Sequence, residues 1–79
     1  MYRIAVLGDR DSVYGFAALG LTVFPVEEET EGARLLRRLA EQTEEPYAVI
    51  YITEALAAKL EEEIDRLRER RFPAVIPIP

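Results

Sequence analysis

The sequence contains neither cysteine nor histidine in its 79 residues. That double absence excludes disulfides, thiol nucleophiles, zinc sites of the usual ligand sets and imidazole acid–base catalysis. Carboxylates, hydroxyls, Lys, Arg and the backbone are all that remain for chemistry. Long apolar runs are missing as well. The first, Ile4 to Leu7, is too short for the core of a signal peptide and far below the length that spans a bilayer. The expected compartment is therefore the cytoplasm. An excess of basic charge is the third absence: 10 Lys and Arg stand against 15 Asp and Glu, a formal net charge of −5. Such a chain repels phosphate backbones and anionic membranes, which argues against nucleic-acid and lipid roles.

The chain is long enough for one hydrophobic core and too short for two, so residues 1–79 are expected to form a single α/β domain. Ile4–Leu7 and Ala48–Ile52 are apolar at every position, as strands buried on both faces are in a parallel sheet covered by helices. Leu21–Phe24 and Ala74–Ile76 are further strand candidates, each bordered by proline. Helical patterns lie between them: Ser12 to Leu19 with Asp11 or Ser12 as N-cap and Gly20 as stop, Thr30 to Thr43, and Glu54 to Arg71 behind a Thr53 cap. The order β-α-β-α-β-α-β implies right-handed parallel crossovers.

Proline parity orders the strands. Pro73, Pro77 and Pro79 are all odd-numbered, so one side of the last strand has lost nearly every donor and is read as an outer edge. Pro25 marks the second strand as the opposite edge. The expected fold is a flavodoxin-like three-layer sandwich with a four-stranded parallel sheet in order 2-1-3-4 and three helices. In that arrangement the first helix covers one face alone, and that face is left under-covered.

Asp9 and Asp11 follow the first strand, and Thr53 and Glu54 follow the third, so both loops meet at the switch point where open α/β sheets bind ligands. Carboxylates there suit Mg²⁺. Capping of the helices that start at these loops accounts for the same residues, and it is the simpler reading. Gly8 to Ser12 has one glycine and two carboxylates, without the spacing of a phosphate-binding loop. No catalytic, cofactor or metal residue is assigned. Glu27–Glu31 opens a helix and Arg66, Arg68, Arg70 and Arg71 close one, which complements the helix macrodipole. Arg68, Arg70 and Arg71 are the candidate partner-binding residues, since segregated charge orients a domain against a charged partner. Tyr14, Phe16, Phe24 and Tyr51 are expected in the core.

Gly8-Asp9 with Asp11-Ser12-Val13, then Gly15-Phe16 and Ala18-Leu19-Gly20, resembles the opening of the F subunit of V/A-type ATP synthases. Val23 to Val26, Tyr47 to Ile50, Ile52 to Glu54 and Pro73 to Pro79 continue the likeness in order. The resemblance implies a non-catalytic accessory subunit of the rotating central stalk. It further implies binding to the coiled-coil D subunit of the stalk and to other central-stalk subunits, and a part in coupling ATP turnover to ion flow from a position peripheral to the membrane. Family members usually continue with a Gly-rich linker and a C-terminal helix, so residues 1–79 correspond to the N-terminal domain. The alternative reading is a receiver-like, Mg²⁺-binding phospho-switch. It fits Asp9 and Asp11, but the third strand ends in Thr53-Glu54 rather than in a phospho-acceptor Asp.

Overall fold

In the computed structural model residues 2–79 are described. Strand β1 (Arg3–Gly8) runs parallel to β3 (Tyr47–Thr53), with β2 (Thr22–Pro25) beyond β1 and β4 (Ala74–Ile78) beyond β3. The order β2-β1-β3-β4 is the expected one. The two all-apolar strands occupy the middle, and the proline-bearing strands form the edges. The backbone N–H of Val26 donates to the carbonyl of Gly8 at 2.8 Å. Strand alternation then points the N–H groups of Thr22 and Phe24 toward β1 and the nitrogen of Pro25 outward, where a missing donor breaks no ladder bond.

Helix α2 (Glu29–Glu41) lies close to its expected bounds. The first helical segment differs from expectation. It starts earlier, as α1 (Arg10–Val13), and passes into a 3-10 helix over Tyr14–Leu19, ending at Gly20 with φ 83°. Val13 is its one buried side chain, and with so little packing nothing holds the later residues to α-helical geometry. The third helix is also corrected. It is two helices, α3 (Glu54–Lys59) and α4 (Glu61–Leu67), broken at Leu60, where φ is −120° and ψ 29°. It stops at Leu67, so Arg68, Arg70 and Arg71 lie in the turn that follows. Leu56, Leu60, Ile64 and Leu67 all stay buried across the break. Leu56 and Leu60 press on Gly32 of α2, each with Cδ1 3.3 Å from where a Cβ would stand. Helical geometry is given up at one residue and the close approach of α2 is kept.

Coverage of the sheet is uneven. Ala5, Leu7, Ile50 and Ile52 form the main core with Leu36 and Leu39 of α2 and the buried residues of α3 and α4. The alternate residues Ile4, Val6, Val49, Tyr51 and Ile76 face the other way. On that side Val6 and Val13 are fully buried, but Ile4, Val49 and Tyr51 are half-buried and Ile76 is 41% exposed. The under-covered face anticipated from the topology is present. At the start of the strands the exposed rings of Tyr2 and Phe72 stack with centroids 5.5 Å apart. Phe16, Phe24 and Tyr51 are half-buried, whereas Tyr14 is exposed and lies 5.5 Å from the Arg10 guanidinium rather than in the core.

One arginine ties the starts of three strands together. Arg3 donates from Nη2 to Thr22 Oγ1 at 3.0 Å, lies 4.9 Å from the centre of the Tyr47 ring, and approaches Glu45 Oε2 at 3.8 Å.

Candidate partner-binding site

The switch point is built by caps. Asp9 is the N-cap of α1: its Oδ2 accepts from the Ser12 backbone N–H at 3.1 Å and from Ser12 Oγ at 3.0 Å. This corrects the expectation that Asp11 or Ser12 would cap, because the helix begins earlier in the chain. The Ser12 hydroxyl, with its backbone N–H, holds the Asp9 carboxyl below the usual carboxylate range. Thr53 caps α3 as expected, Oγ1 accepting from Leu56 N–H at 3.4 Å, and is itself buried. Glu54 enters the first turn of α3, next to the positive end of that helix. Among the described residues, no three acidic side chains gather as metal ligands would.

Charge is arranged along the helical layer. Glu29 and Glu31 stand in the first turn of α2 and Glu61, Glu62 and Glu63 in the first turn of α4; residues from both ends line one shared groove. The arginines gather at the opposite ends. Glu62 and Arg66 form the expected i, i+4 pair, loosely, at 3.9 Å.

The three candidate arginines do not form one cluster. Arg68 turns to Asp65, Nη1 to Oδ1 at 3.0 Å, beside Glu54, Glu61 and Pro77. Arg70 faces the other way and lines a groove with Arg37 of α2 and Arg66 of α4. Arg71 is exposed and precedes the stacked Phe72. Sequence reasoning missed Arg37, since its neighbours Arg66 and Arg70 lie far along the chain and only the α2–α4 packing unites them. Among the described residues, no helix is long and apolar enough to cross a membrane.

The sequence profile described as ATP synthase (F/14-kDa) subunit matches residues 4–79. The F subunit of the V-type ATP synthase of Clostridium perfringens is 48% identical over 80 residues, covering 100% of this chain and 73% of the relative. That of Fusobacterium nucleatum is 43% identical over 79 residues, with 100% and 72% covered. The F subunit of the A-type ATP synthase of Methanocaldococcus jannaschii is 31% identical over 68 residues, with 85% and 67% covered. In fold, the crystal structure of the V-type ATP synthase F subunit of Archaeoglobus fulgidus superposes with a TM-score of 0.83 at 19% identity, over 99% of this chain and 98% of that one. The profile match and the identity along the whole chain agree with the strand order: the chain belongs to the ATP synthase (F/14-kDa) family, whose members are the accessory F subunits of V-type and A-type rotary ATP synthases.

Proposed function

We propose that this chain is a rotor component that docks on the coiled-coil D subunit of the stalk and helps transmit rotation between ATP turnover and ion transport, on the cytoplasmic side and peripheral to the membrane. The observation that carries the reading is the bare sheet face. Val49, Tyr51 and Ile76, continued by the Tyr2–Phe72 stack, leave apolar surface in water that a partner helix would cover. Exposed Arg71 adjoins Phe72, so the same partner would meet positive charge at that rim, whereas Arg68 and Arg70 turn to the helical side. Residues 1–79 act in this reading as the N-terminal domain of the protein, with segments of the longer relatives adding contact area.

The test is binding to the immobilised coiled-coil D subunit. Tyr51→Lys combined with Ile76→Lys is expected to weaken binding by about tenfold or more, because burying one large apolar side chain contributes about 1.5–3 kcal/mol. Unchanged affinity in the folded variant would overturn docking through this face. Arg71→Ala is expected to slow association and flatten its salt dependence, without a change in the α2–α4 groove.

A further inference from the structure

On the helical side of the sheet, opposite the bare face, α2 and α4 leave a groove of about 200 Å³ between them. Buried Leu36 and Leu67 form its floor, and Arg37, Arg66 and Arg70 stand at its rim with Glu41 and Glu63. The arginines are poorly neutralised. Among the described residues, Arg37 and Arg70 have no carboxylate within 4.0 Å, and Arg66 has only the 3.9 Å contact with exposed Glu62. Arg34 and Arg38, equally unpaired, extend the basic surface along α2 beside Arg37.

In a chain of net charge −5 carrying 15 carboxylates, local pairing would have been easy to supply. Arginine holds its charge at any physiological pH and offers a planar fork that fits a carboxylate bidentately. The groove is smaller than the several hundred Å³ of typical small-molecule sites, which suits a side chain of a docked segment better than a separate ligand. Nucleic acid is a poor match, since the acidic ends of α2 and α4 flank the basic zone. We propose that the α2–α4 groove, rimmed by Arg37, Arg66 and Arg70, docks a carboxylate-rich amphipathic helix of another subunit of the assembled ATP synthase. Its apolar residue lies in the groove over Leu67, and its carboxylates meet the arginines. This goes beyond stalk docking through the bare face, because the two surfaces lie on opposite sides of the sheet and allow one domain to bridge two partners.

The test uses the whole purified ATP synthase, with p-benzoylphenylalanine in place of Arg37 in one preparation and of Tyr51 in another. The Arg37 probe is expected to cross-link to a net-negative segment of a different subunit. Arg37→Glu with Arg70→Glu is expected to lower recovery of this chain in the complex about tenfold, and reversing the charge of the cross-linked carboxylates to restore it. Both positions are exposed, so the thermal midpoint of the isolated variant should not move. If it does, Arg37→Gln with Arg70→Gln is used instead, and reduced salt sensitivity of assembly is the expected result. No adduct at position 37, an adduct to a basic segment or to a second copy of this chain, or charge reversal without effect would each overturn the proposal. The Tyr51 probe reports the bare face separately, so failure of stalk docking is distinguishable from failure at the groove.

Discussion

Gly8 at the end of β1 and Thr53 at the end of β3 are packed so closely that a Cβ on Gly8 would stand 2.9 Å from Thr53 Oγ1 and nearer still to its methyl group. Thr53 cannot retreat freely, because it is buried and its Oγ1 caps α3. The two strands that form the centre of the sheet converge at a position where only glycine fits.

Gly8→Ala is therefore expected to destabilise the domain by about 1–3 kcal/mol, the usual cost of overpacking. For a domain of this size that is a fall of roughly 4–24 °C in thermal midpoint, at about 4–8 °C per kcal/mol. Adding Thr53→Ser removes the methyl, keeps the cap and should recover part of the loss. An unchanged midpoint for Gly8→Ala would mean the strands can separate without cost.

Asp9 has a depressed pKa in the folded state, through its hydrogen bonds from Ser12. The sign follows: the cap contributes at neutral pH and is lost as pH falls through that lowered value in the acid range. A carboxyl titration followed by NMR should place Asp9 below an unstructured aspartate, and Ser12→Ala should move it back up. A normal Asp9 midpoint in the unaltered chain would contradict the cap.

Loss of Arg3 tests the clamp across three strands. Arg3→Met keeps the aliphatic stem and removes the bond to Thr22 and the contact with the Tyr47 ring. The expected cost is about 1–2 kcal/mol in denaturant unfolding. A cost near zero would mean that the sheet ends hold without it.

Replacing Pro25 and Pro77 together with Val restores a donor on each edge strand. Sedimentation should then detect more self-association than in the unaltered chain, since open edges template pairing. A variant that associates no more than the unaltered chain would assign edge protection to something other than proline.

Much of the fold was legible because its signals are local or arithmetical. The apolar runs at Ile4–Leu7 and Ala48–Ile52 announce central strands, and the prolines mark both edges. The break at Leu60 was not legible, since Leu56, Leu60, Ile64 and Leu67 keep a helical spacing straight through it. Asp9, Asp11 and Ser12 are all good caps by composition, and which one acts depends on where the strand before it ends. The parting of Arg68 from Arg70 depends on the exit of the chain from α4, and the meeting of Arg70 with Arg37 depends on helix packing. Neither leaves a trace in spacing along the chain.

The strand order also bears on synthesis. β1 is made before the other three strands, yet it lies in the middle of the sheet, and its two neighbours pair with it from Thr22 and from Tyr47 onward. At about 5–20 residues per second, an emerging chain carries β1 with one or both sides unprotected for a time on the order of seconds. Of the four strands, the one that waits longest for its neighbours is thus one of the two most apolar. The proline-bearing edge strands, β2 and β4, are made after β1 and cannot cover it at the start of that interval.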